Sequence, residues 1–256
     1  MSNVIYKKAG INNSIVRFNS CFYLLIFILT FSCKQSTNTN KPILGVRQTA
    51  LMLNAYPKKV LKVDTILNSI TGNVDDQRFT ITCNSAYSLF ILNQKRDTIY
   101  QDSVYSPHQQ FVDFNNDGYK DILIEYMTNV PGITDVLIYD KDNHTFKKVI
   151  DLQKFPGSKR IPHSNYYYSY HRSGCADMNW DSDLFYIKNY RTIRIGNISG
   201  RQCHDERFKD GIYINQIVGD KKIKIVELPI NTIKNYKDYK WGFINQYWKR
   251  NYREFL

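Results

Sequence analysis

Apolar and polar positions alternate in short runs over most of the chain between residues 58 and 227. Val60, Lys62 and Asp64 alternate with Leu61, Val63 and Thr65, and Phe79, Ile81 and Cys83 with Thr80 and Thr82. Further short runs rich in Ile, Tyr and Val follow at 87–92, 97–100, 135–139, 146–150, 184–187, 191–195, 211–215 and 221–227. Gly, Asn and Asp separate them, so each reads as a strand bounded by turns. The alternation of Lys222-Ile-Lys-Ile predicts a strand with one wet and one buried face. Beyond residue 230 the period changes. Ile233, Tyr236, Trp241, Ile244, Trp248, Tyr252 and Phe255 fall three to five apart, which predicts a C-terminal amphipathic helix whose aromatic stripe faces a core. The fold class expected is therefore mainly β, an antiparallel sheet or sandwich ending in a helix.

The first 32 residues follow a different rule. They carry Lys7, Lys8 and Arg17, no acid, and the apolar run 21–29. A basic start and a greasy core well short of the roughly 20 residues that span a bilayer mark a secretory signal. Leu29-Thr-Phe-Ser-Cys33 resembles a bacterial lipobox, of the loose kind found in Bacteroidota. That resemblance implies that Cys33 is lipidated and becomes the first mature residue; a signal anchor or an ordinary cleaved signal is the alternative. Residues 33–56 open with a polar, unpatterned stretch suited to a flexible tether. The expected organisation is a signal peptide at 1–32, a tether at 33–56 and one mainly-β domain at 57–256. The address is the cell envelope, with a lipid anchor in the outer membrane, since Lys34 stands where an aspartate would favour the inner membrane.

Within the domain, Phe111-Val-Asp-Phe-Asn-Asn-Asp-Gly-Tyr-Lys-Asp-Ile-Leu-Ile124 carries the densest chemistry. Asp113, Asn115, Asp117 and Asp121 recur at alternate positions, Gly118 takes the sixth place of the loop, and Tyr119 takes the seventh, where a backbone carbonyl faces inward. A calcium ion takes about 6–8 oxygen ligands, and the glycine permits the turn that gathers them. An EF-hand places a glutamate at its twelfth position between two helices; here that place is Ile124 and the flanks are strand-like. Ca2+ in a strand-flanked loop is the expectation, against an Asx-rich hairpin turn that needs no metal. A second stretch, Asp177-Met-Asn-Trp-Asp-Ser-Asp183, has acidic or amide groups at alternate places but Ser182 where the glycine belongs, so either a second metal loop or an Asx-rich turn fits it.

The first loop resembles the calcium motif of FG-GAP and VCBS repeats, and Asp135–Asp140 and His144–Val149 are similar to the next two strands of such a unit, about residues 108–150. The resemblance implies metal ligands at Asp113, Asn115, Asp117, Tyr119 through its carbonyl, and Asp121. The unit resembles that of a small family of single-copy periplasmic proteins with one such loop, mostly non-catalytic, some of which act as inhibitors of lysozyme-type wall hydrolases. One good copy of the motif argues against a propeller built by repetition.

Charge and cysteines refine the address. Removing residues 1–32 takes three of the 35 basic residues and none of the 23 acidic ones, which leaves a net charge of +9. The basic residues are scattered, and an exported chain rarely meets DNA, so an anionic wall or lipid neighbour is expected and nucleic acid is not. In an oxidising envelope two of Cys83, Cys175 and Cys203 should pair. Cys175 and Cys203 each lie beside turn residues, and closing the loop between them contributes about 3–4 kcal/mol on the chain-entropy model. Cys83 sits in an alternating run and reads as a buried apolar residue.

Tyr166, Tyr168, Tyr170, His171 and Arg172 form an unusual cluster. It reads either as an exposed contact patch for a partner, with the 157–175 segment entering a hydrolase cleft, or as three tyrosines turned together into the core. No nucleophile elbow, His-Glu-x-x-His or phosphate loop is present, and the five histidines are dispersed. The expected function is a non-catalytic envelope binding module acting on an envelope protein or peptidoglycan-associated partner. A structural or assembly lipoprotein is the alternative, and a wall or glycan hydrolase a second.

Overall fold

The alternating runs fold as antiparallel strands joined by tight turns. A computed structural model describes residues 65–103, 106, 108–203 and 209–256. In chain order the strands are β1 (Ile66–Val74), β2 (Gln77–Asn84), β3 (Ser88–Leu92), β4 (Thr98–Ser103), β5 (His108–Val112), β6 (Asp121–Glu125), β7 (Thr134–Asp140) and β8 (Thr145–Lys148). They continue as β9 (Lys159–Arg160), β10 (Tyr166–Tyr168), β11 (His171–Arg172), β12 (Trp180–Lys188), β13 (Arg191–Arg201), β14 (Gly211–Val218) and β15 (Lys221–Leu228), and the helix is α1 (Tyr239–Asn251). Asp75-Asp76 and Asn189-Tyr190 both take two consecutive left-handed conformations, the geometry of two-residue hairpins that matches strand twist.

Three sheets result, ordered β1-β2-β3-β4, β5-β6-β7-β8 and β15-β14-β13-β12-β10-β9, with β11 paired to β12. Their apolar faces make three cores. Phe79, Ile81, Leu89 and Ile91 of the first sheet meet Ile122, Ile124, Leu137 and Tyr139 of the second. On the opposite face of the second sheet, Val136 and Ile138 meet Tyr167 and Phe185 of the third. The other face of the third sheet, with Trp180, Leu184, Ile198, Ile212 and Ile214, receives Phe243, Ile244 and Trp248 of α1. The protein is thus mainly β and antiparallel with a C-terminal helix, as its patterning indicates, and all described residues fall in one compact unit, Lys59–Leu256. Residues 1–64, with the signal, Cys33, the tether and the alternation at 60–64, lie outside the described residues.

Three details differ from the pattern-based expectation. Strand β1 escapes a reading by alternation because its inward positions include Asn68, which donates to Gln109 at 3.0 Å, and Gly72, over which the Phe111 ring lies. On β15 the residues from Lys221 to Ile225 are all exposed, Ile223 at 48 % and Ile225 at 46 %, because this strand ends the sheet and no layer among the described residues covers that stretch. The helical stripe begins late: Ile230–Asn235 is a 3-10 turn, and Trp241 is 51 % exposed.

Gly200 shows how closely the third sheet is packed. A β-carbon there would stand 2.1 Å from the buried Trp180 ring. Gly200→Ala is therefore expected to destabilise by about 1–3 kcal/mol, as overpacking does; urea denaturation checks it, and an unchanged midpoint contradicts the packing described.

Candidate metal centre

The loop 113–120 closes the hairpin of β5 and β6, whose ladder ends at Val112 opposite Asp121. Its side chains fold back on its own backbone. Asp113 accepts the Asp117 N–H through Oδ1 and the Gly118 N–H through Oδ2, both at 3.1 Å. The Oδ1 of Asn115 also accepts from Asp117 N–H at 3.1 Å, and Asp117 Oδ1 accepts from the Tyr119 N–H at 2.9 Å. Gly118 sits at φ +93° with nothing near its missing side chain, a conformation that makes glycine the fitting residue.

Asp121 is the deepest member. It is fully buried, and its two oxygens accept the N–H groups of Phe114 at 3.0 Å and Tyr139 at 2.9 Å. These bonds tie the loop entry to β7. Burial pushes the Asp121 carboxyl up to about 6, against the pull of the two N–H groups. Phe114 stacks on Tyr167 of β10 with ring centroids 5.2 Å apart, which docks the loop on the third sheet.

Asp113, Asn115, Asp117 and Tyr119 thus stand in the β5–β6 loop, and Asp121 opens β6 beside it. Among the described residues no three His, Cys, Asp or Glu side chains cluster as a metal-holding group. The donors of this loop include an amide and a carbonyl, and its carboxylates rest on N–H groups. A carboxylate has about four lone-pair sites, so an N–H bond leaves each of them able to accept a cation as well. Beside the loop is a cavity of about 410 Å³ lined by Asp113, Phe114, Asn116, Arg160, Pro162 and His163. The β9–β10 turn and the loop thus share one surface.

The other candidate residues are placed as follows. Cys175 and Cys203 are joined in a disulfide, and Cys83 is free and buried. The three tyrosines of the proposed contact patch are largely spent on packing. Tyr168 is buried and its hydroxyl donates to Asn245 Oδ1 at 3.1 Å; Tyr166 packs on Tyr252 and Tyr170 on Trp241. The two-residue period of the strand puts all three on the face that α1 covers, so the surface part of this cluster is His171 and Arg172.

The stretch 177–183 runs from a 3-10 turn into β12, and its carboxylates are paired with basic groups. Asp181 and Asp183 lie on β12, Asp181 bound to Arg201 at 3.0 Å and Asp183 to Arg194 at 2.5 Å. Asp177 pairs with Lys240 at 2.8 Å. Sequence reasoning missed this buried network, in which Asn197 and Ser199 also bond to the two aspartates. Its only sequence signal is two aspartates two apart, with arginines in the following strand.

No protein-family model matches the chain, and no curated protein does. Among solved structures it is similar to one described as the structure of a Xanthomonas type IV secretion system related protein, at 12 % identity and a TM-score of 0.39, covering 62 % of this chain and 93 % of that one. A likeness at that level carries no argument about function. Among the described residues no helix is long and apolar enough to cross a membrane.

Proposed function

We propose that this protein is a lipid-anchored cell-envelope binding module, non-catalytic, whose β5–β6 loop holds a structural Ca2+. The ligands are Asp113, Asn115, Asp117, the Tyr119 carbonyl and Asp121. The donor set fits a hard cation because it is all oxygen, and because a buried carboxylate that is costly to ionise alone is stabilised by a divalent charge. Calcium supplies charge neutralisation and stiffness to the loop. The chain's own residues carry that stiffness outward, through Asp121 to β7 and through Phe114 to β10.

The observation that carries the binding role is the surface shared by this loop and the Pro162-His163 turn. Of the segment 157–175, that turn stands outside the sheet next to the metal loop, with Pro162 and His163 exposed. The partner we propose is a lysozyme-type peptidoglycan hydrolase, inhibited when the turn and loop block its cleft. Asp181 and Asp183, the neighbouring carboxylates on β12, support a non-catalytic reading, because each is buried and held by a guanidinium.

Calcium at about one hundred times its Kd should stabilise the chain by about 2.7 kcal/mol, roughly 5–10 °C in Tm at this size. Asp113→Ala should abolish the rise. A Tm that ignores millimolar calcium removes the metal from the account. The partner is tested by hydrolase clearing of a peptidoglycan suspension: slowing by the calcium-loaded protein, relieved by chelator, supports inhibition. Unchanged clearing by every hydrolase tried leaves a structural or assembly role, and clearing by the protein alone makes it a hydrolase.

A further inference from the structure

The chain has three tryptophans, and they are treated differently by the fold. Trp180 and Trp248 are buried at 1 % and 0 % exposure, whereas Trp241, in the first turn of α1, is 51 % exposed. An indole left half in water forgoes much of the largest apolar burial a side chain can offer. The fold nevertheless fixes it there. Lys240 Nζ lies 4.6 Å from the Trp241 ring centre and 5.6 Å from that of Tyr170, and it is anchored by the Asp177 carboxylate at 2.8 Å. Tyr170 packs on the same indole at 5.7 Å.

Trp241 also lines two cavities. One, of about 180 Å³, is lined by Lys159, Tyr170, Asp238 and Asn245 together with the backbones of Gly157 and Gly242. The other, of about 300 Å³, is lined by Met178, Gln202 and Tyr239 among others. In the first, Lys159 and Asp238 are exposed and Asn245 is half-buried. Asn245 spends its oxygen on the Tyr168 hydroxyl at 3.1 Å, which leaves its amide N–H groups as donors. Lys159 and Asp238 line the same space yet form no ion pair among the described residues. Asp238 and Tyr239 are both in the left-handed region, at φ 65° and 50°, a strained backbone of the kind concentrated at binding sites.

We propose that Trp241 and the two cavities it lines bind a neutral oligosaccharide, one sugar ring in each cavity. A pyranose presents an apolar C–H face that suits an aromatic wall, and a rim of hydroxyls that both donate and accept. Asp238 accepts, Asn245 and Lys159 donate, and Gln202 serves the second ring with both functions. Other ligand classes satisfy less of this set. An apolar ligand gives the carboxylate, the ammonium and the amide no partner wherever it covers them, which is costly. An anion gains from Lys159 but is opposed by Asp238 at the same cavity. Two separate cavities of this size offer no continuous groove among the described residues for a partner helix, which docks along several turns.

The site shares no residue with the calcium loop. It is tested by titrating the purified protein, without calcium or any protein partner, with three neutral trisaccharides: chitotriose, cellotriose and maltotriose. The readouts are tryptophan emission and calorimetry. The expected result is a saturable emission change with at least one of them, matched by binding heat. Trp241→Ala should abolish both, Trp241→Phe should keep the heat, and Asn245→Ala should weaken binding by about tenfold. The proposal is overturned if none of the three gives a saturable signal, or if binding survives Trp241→Ala unchanged. Should Trp241→Ala fail to fold, the Asn245→Ala and Trp241→Phe pair decides, since equal affinity of Asn245→Ala and the parent rules the site out. Because the assay holds no metal, its failure leaves the proposed calcium loop standing.

Discussion

Trp248→Ala is expected to cost about 3–5 kcal/mol, the range for deleting a fully buried aromatic side chain. Trp248 is completely buried between α1 and the third sheet. Its ring packs on Phe255 at 5.2 Å and on Tyr247 at 5.5 Å, and its Nε1 donates to Ser182 Oγ at 2.8 Å. Ser182 passes the bond on to the Ser169 carbonyl, so one indole links α1 to β12 and β12 to the segment after β10. Truncation empties a large volume and deprives a buried hydroxyl of its donor at once. Urea denaturation of the parent and the variant measures the loss. Trp248→Phe separates the two contributions, because it restores most of the ring and not the N–H. A variant that unfolds at the parent's midpoint would show that α1 is not held through this residue.

The helix itself was legible in the chain, and the reason is its period: apolar residues three to five apart have no alternative burial in a strand. The strands with clean alternation, such as Phe79-Thr-Ile-Thr-Cys83, were legible for the complementary reason. What failed was any element whose inward positions are polar or small. Strand β1 turns Asn68 and Gly72 toward the core, and the first half of β12 turns Asp181 and Asp183 inward, so both read as loop. In each case tertiary partners make the residue acceptable, Gln109 for Asn68 and the arginines of β13 for the aspartates. Such partners are distant in sequence and invisible to a local pattern. Likewise the period of Tyr166, Tyr168 and Tyr170 says that they share a face, but only the position of α1 decides that the face is covered. The loop from Asp113 to Asp121 was legible as a strand-flanked turn because its spacing is local; the hydrogen bond from Tyr139 to Asp121 was not.

The same logic gives the second large effect, which concerns charge buried where a pattern expects none. Asp181→Ala is expected to cost about 3–5 kcal/mol, since breaking a buried ion pair from one side leaves its partners desolvated. Asp181 accepts from Arg201 Nη2 at 3.1 and 3.0 Å, from Ser199 Oγ at 2.5 Å and from Ser173 Oγ, and His171 stands 3.9 Å away. Burial works to raise its carboxyl, but Ser173, Ser199 and the Arg201 guanidinium outweigh it and hold it below the usual carboxylate range. A folded value below the unfolded one, about 3.9, means that the carboxylate stabilises fully above that pH and that its contribution is lost as pH falls below about 4 toward the depressed folded value. Its neighbour Asp183 is raised by burial and has the opposite sign, gaining stability as pH falls, so the parent's profile alone mixes the two. The measurement is therefore a difference: urea stability of the parent minus that of Asp181→Ala, between pH 7 and pH 3. The gap should be flat above about pH 5 and close as the pH drops through 4. A gap that stays constant to pH 3 would mean that the cost of the substitution is lost packing, and that the Asp181 charge does not hold β12 and β13 together.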